Sequence, residues 1–173
     1  MKNAWTKKEA AEAIGITPRT IHYYTDEGLI TPEIANPKGK GTTRKYSAKN
    51  LLEILVIREL VKLGLNLSRI KQAMNAVKSG SMGLLGHSEF WNPKAKEDLS
   101  IRQPGMFLNP AEVGVYLIGY DVHTDHGWFA AFVTKRKTDP IDLWMTNPDH
   151  HLRCTTAVVI DVTSARDKVG KLL

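Results

Sequence analysis

The chain has 173 residues, 42% of them apolar and 24% charged, with one cysteine and a formal net charge of +6. No run approaches the roughly 18 apolar residues of a membrane span, MKNAWTKKEAAEAIG lacks the apolar stretch of a secretory signal, and a lone Cys154 excludes an internal disulfide, so a cytoplasmic protein with no membrane partner is expected. The charge is unevenly spread: residues 1–80 hold 14 Lys and Arg against 7 Asp and Glu, whereas residues 81–173 hold 10 against 11, which suggests that one half meets a polyanion and the other has a different task.

Thr6-Lys7-Lys8-Glu9 has the form of a capping box, in which a threonine and a glutamate three residues later satisfy each other's backbone N–H groups. Ala10, Ala13 and Ile14 follow at helical spacing, and Gly15 ends the helix. Thr17-Pro18 then caps a second helix, Arg19-Thr20-Ile21-His22-Tyr23-Tyr24, that stops at Gly28. Two short helices about a tight turn form a helix-turn-helix. Ile21 and one tyrosine face the first helix, which leaves Thr17, Arg19, Thr20, His22 and Tyr23 outward as candidate DNA contacts: Arg bonds guanine bidentately, while Thr and Tyr reach phosphates or a thymine methyl.

Residues 31–46, TPEIANPKGKGTTRKY, are rich in Pro, Gly and Lys. Flanked by Leu29-Ile30 and Lys45-Tyr46, they read as a hairpin with a basic tip. Lys38, Lys40, Arg44 and Lys45 on such a wing suit the phosphate backbone. Ser47 caps a third helix from Ala48 to Leu63, with a broad apolar face from Leu51 to Leu63 that includes Val61. Asn66 caps a fourth, in which Leu67, Ile70, Met74 and Val77 recur at three and four residues. Both read as scaffold.

Four segments in this order resemble the MerR family of bacterial regulators over residues 4–77. They are Arg19-Thr20-Ile21-His22-Tyr23-Tyr24, Glu27-Gly28-Leu29-Ile30, Arg44-Lys45-Tyr46-Ser47 and Leu63-Gly64-Leu65-Asn66-Leu67-Ser68-Arg69-Ile70. The resemblance implies that the second helix reads the major groove and that Arg44 and Tyr46 touch the DNA backbone. It further implies a homodimer on a two-fold operator, distortion of spacer DNA, and RNA polymerase as a partner. His22 stands where the family usually has arginine, and Thr25 where it usually has glutamate. The long dimerisation helix that usually follows is missing after Lys78, where Lys78-Ser79-Gly80-Ser81-Met82-Gly83 reads as a linker.

Beyond it, residues 84–110 are irregular. Val113 to Val122 reads as a buried strand, Trp128 to Thr134 as its hairpin partner, Leu143-Trp144-Met145 and Thr155 to Val162 as further strands, with Ser164 capping a short terminal helix. The expected class is α+β: a winged helix-turn-helix of four helices (1–78), a linker (79–110) and a small antiparallel-sheet domain (111–173) that senses an effector or dimerises. Nine of the thirteen aromatics lie in this second half, enough to fill its core or line an effector pocket. His123, His126, His150, His151 and Cys154 are candidate metal ligands of weak spacing, and no cofactor is expected. No nucleophile elbow, phosphate loop or dinucleotide fingerprint is present, so an enzyme is not expected. The favoured function is a DNA-binding transcriptional regulator under effector control; the alternative is an excisionase-like architectural protein without an effector.

Overall fold

The computed structural model describes residues 4–35, 43–79, 115–123, 127–133 and 157–172. Trp5–Thr6 form a short strand β1, and Thr6 doubles as the cap of helix α1 (Lys7–Ile14). Both halves of the capping box are made: Glu9 N donates to Thr6 Oγ1 at 3.3 Å, and Thr6 N donates to Glu9 Oε2 at 2.8 Å. Gly15 closes α1 at φ 71°, a left-handed corner that an L side chain resists. Ala11 joins Ala10 and Ile14 in the core, while Ala13, expected there, lies only partly buried against it.

Helix α2 (Pro18–Asp26) starts at Thr17, whose Oγ1 accepts from Thr20 N at 3.2 Å. It buries Ile21 and Tyr24. The next segment departs from expectation. Leu29 and Ile30 are not a hairpin strand: their N–H groups both bond Tyr24 O around Gly28, at φ 70°, and both side chains are buried. Lys45–Tyr46 form strand β2, which pairs antiparallel with β1, Trp5 opposite Tyr46. Ala35 meets Lys45 in a separate two-way bridge. A two-residue strand carries too little alternation to be read from sequence.

Helices α3 (Ala48–Lys62) and α4 (Leu67–Ser79) follow. Ser47 and Asn50 complete a second capping box. From Leu51 to Ile57 every residue of α3 is buried, so this stretch of the helix is enclosed on all sides. Val61 and Leu63, read as part of its apolar face, are instead 45% and 44% exposed, because the helix ends there and the chain turns out at Gly64.

In the second half, β3 (Val115–Tyr120) is the central strand of an antiparallel sheet ordered β4-β3-β5, with β4 at Trp128–Val133 and β5 at Ala157–Asp161. Tyr120 lies opposite Trp128 on one side and Ala157 on the other. Leu117, Ile118 and Tyr120 are all buried, as a strand covered on both faces requires. Helix α5 (Thr163–Gly170) starts a residue before the expected Ser164. Thr163 N bonds the Asp161 carboxylate at 2.8 Å, so Asp161 turns the chain into the helix and exposed Ser164 caps nothing. Leu143-Trp144-Met145 lies outside the described residues.

The sheet and α5 pack onto α3 and α4, and the buried side chains form one contiguous cluster, from Trp5 and Ile14 through Leu51 and Met74 to Leu117, Phe129, Ile160 and Val169. Two polar ties cross the same boundary. Lys168 Nζ donates to Ile14 O at 2.7 Å, and Arg69 donates to Gly127 O at 2.9 Å. The ammonium thereby meets the C-terminal carbonyls of α1, where a helix dipole favours a cation.

Candidate nucleic-acid interface

With Ile21 and Tyr24 inward, the pitch of α2 turns Thr17, Arg19, Thr20, His22 and Tyr23 to the surface. Tyr23 is 51% exposed. The Thr17 and Thr20 hydroxyls share a hydrogen bond of 2.8 Å, which fixes the start of the helix. Arg19 has no hydrogen bond or ion pair among the described residues, so its guanidinium is available to an acceptor.

Arg44 lies beside the other end of this face. Its Nη1 donates to Asp26 Oδ1 at 3.0 Å, and His22 Nδ1 approaches Asp26 Oδ2 at 3.1 Å and Arg44 Nη1 at 3.4 Å. Asp26 was not singled out in the sequence, although its place four residues after His22 puts both on one helical stripe. All three side chains are more than a third exposed. The pairs therefore orient Arg44 while adding little stability.

The remaining expected contacts divide. Lys45 is exposed. Tyr46 is fully buried. The Thr25 hydroxyl donates to Ile21 O at 2.8 Å, so the Tyr46 hydroxyl donates to Thr25 Oγ1 at 3.1 Å. As it stands, this phenol anchors β2 to α2 and does not reach a ligand at the surface. Lys38 and Lys40 lie outside the described residues. So do His126, His150, His151 and Cys154; His123 is exposed, and no group of three or more metal-ligating side chains occurs among the described residues.

Behind the interface lies a polar cluster that sequence reading passed over. Asn50, in α3, donates to Thr31 O at 3.0 Å and Glu53 Oε2 at 2.8 Å, and accepts from Glu33 N at 3.0 Å. Lys78, near the end of α4, lies 3.8 Å from Glu53 Oε1. Burial pushes the Glu53 carboxyl above the usual carboxylate range, against hydrogen bonding from Asn50 and the charges of Lys78 and Lys49. Burial acts in the same sense on Glu33, but there hydrogen bonds from Lys49, at 2.8 Å, and Ser47, at 2.6 Å, prevail and hold it below that range. The cluster pins the chain leaving α2 to α3 and α4. Its signal in the sequence is Glu53, which interrupts the apolar run Leu51–Ile57, with Asn50 one turn before it.

The family model of MerR helix-turn-helix regulatory proteins matches residues 6–77, the segment that spans β1 to α4. Residues 6–77 thus match the MerR helix-turn-helix family. Over 78 residues it is 35% identical to the nodulation protein NolA of Bradyrhizobium elkanii, covering 45% of this chain and 34% of that protein. It is 30% identical over 69 residues to an uncharacterized HTH-type transcriptional regulator of Mycobacterium tuberculosis, covering 40% and 31%. It is also 30% identical over 67 residues to the HTH-type transcriptional regulator CueR of Salmonella typhimurium, covering 39% and 46%. The match thus spans about a third to a half of the length of these relatives. No helix among the described residues is long and apolar enough to cross a membrane.

Proposed function

We propose that this chain is a MerR-family transcriptional regulator that binds double-stranded DNA sequence-specifically as a cytoplasmic homodimer. The observation that carries the reading is the exposed face of α2, where Thr17, Arg19, Thr20, His22 and Tyr23 stand together with Arg44 held beside them by Asp26. An α-helix of this width fits the major groove, and a guanidinium at its flank meets the sugar-phosphate backbone. The charge excess of residues 1–80 and the regulators among its relatives support the same assignment. In this reading residues 31–46 are the wing expected from the sequence, to which Lys38 and Lys40, outside the described residues, belong. The sheet and α5 serve as the effector or dimerisation part, and RNA polymerase is the partner that transcription control requires.

Salt-titrated duplex binding of the full chain tests it. Arg44→Ala should weaken binding to all sequences alike and reduce the salt slope by about one. Arg19→Ala should instead erode the preference for operator over random duplex by about 1–3 kcal/mol. If the intact chain shows no salt-sensitive duplex binding, the assignment fails.

A further inference from the structure

A cleft of about 500 Å³ opens between the start of α2 and the turn joining α3 to α4. Tyr24, Leu29 and Ile70, all buried, lie at its inner side, and Val61 and Leu65 line it from the α3–α4 turn. One end is polar: Arg19 with the hydroxyl-bearing Thr17 and Thr20. Among the described residues no acidic side chain lines it. The volume falls within the range that holds a small organic ligand, with mostly apolar walls and a few convergent polar groups.

We infer that this cleft binds an amphipathic organic anion, a ring or branched hydrocarbon bearing one carboxylate, with the carboxylate on Arg19 and the hydrocarbon between Val61 and Tyr24. Three observations converge. The walls are mostly apolar, and Val61 is a large hydrophobic side chain left nearly half exposed. The charge on the lining is a single cation, Arg19, with no hydrogen bond or ion pair among the described residues. That cation stands in the first turn of α2, where the helix dipole opposes it and a bound anion would offset the repulsion. A cationic ligand meets the reverse of each condition, and a neutral one leaves Arg19 unused.

The consequence rests on the function proposed above: Thr17, Arg19, Thr20 and Tyr23 belong to both surfaces, so ligand and duplex compete for them. The binding itself does not rest on it. The experiment therefore has two arms on the full chain. In the first, 2-naphthoate and neutral 2-naphthamide are titrated without DNA and read by ligand-observed NMR. Naphthoate should bind at least about tenfold more tightly, as one charge-assisted contact implies, and Arg19→Gln should abolish the difference. Val61→Trp, which fills the cleft from an exposed position, should remove binding of both while the melting temperature is retained. Equal binding of the two probes, or Val61→Trp that still binds naphthoate, overturns the site. In the second arm, naphthoate should displace a low-salt duplex from wild type and not from Val61→Trp. Binding in the first arm with no duplex bound at all in the second would leave the site standing and sink the regulator reading instead.

Discussion

Tyr46 lies where the family resemblance implies a contact to the DNA backbone, yet its ring is enclosed and its hydroxyl ends on Thr25. Tyr46→Phe should lower stability by about 1 kcal/mol, the usual worth of one buried hydrogen bond, and leave the salt slope of duplex binding unchanged; chemical denaturation beside a salt titration separates the two. Glu53 makes a second residue-scale claim. An acid whose folded pKa is raised above its unfolded value stabilises while protonated, so its contribution is complete below the ordinary carboxylate range and lost as pH rises through the raised value. Glu33, depressed, works in the opposite sense: its contribution holds above that range and fades as pH falls. In Glu53→Gln only the first dependence disappears. Between about pH 4 and about pH 7 the stability difference should therefore shift in favour of the variant, measured by urea unfolding at each pH.

Among the elements, those with strong local grammar were legible from the sequence alone. Thr6, Thr17 and Ser47 cap helices as read, because capping depends on residues within one turn. Elements set by distant partners were not. β1 exists because Tyr46 and Lys45 lie alongside it, and α5 starts early because Asp161, outside the helix, bonds its first N–H. The interface followed the same division: α2 was readable from its periodicity, whereas Asp26 gains its meaning from Arg44, eighteen residues away in sequence. Gly119 belongs here too. Within β3 a Cβ at this position would run into Val122 and come within 2.7 Å of the Phe129 ring, so the sheet closes over a gap only glycine leaves. Gly119→Ala should cost about 1–3 kcal/mol by overpacking, seen as a lower melting temperature; a neutral result would mean that Phe129 turns aside freely.

For the molecule as a whole, the feature hidden from sequence is continuity. Composition changes sharply near residue 80, which suggests separate bodies, yet α3 takes its cover from the N-terminal helices and from α5 alike. Val169 on α5 is fully buried in that shared cluster. Val169→Ala should cost about 1–3 kcal/mol through the cavity it leaves. Its effect should reach α1, whose amides should exchange faster by native-state hydrogen exchange although no residue there is altered. Were only amides of α5 and the sheet to respond, the two halves would be energetically separate despite their contact.

The tie from Lys168 to the carbonyl of Ile14 bears on how the N-terminal half can be recombined. A MerR-like half that finishes at α4 suggests a cassette to transplant onto a foreign domain. Here the cut would strip the cover from the buried stretch Leu51–Ile57 of α3 and leave the carbonyl end of α1 without its ammonium. A working hybrid would have to carry residues 157–172 along with residues 4–79, so the portable unit is discontinuous in the chain.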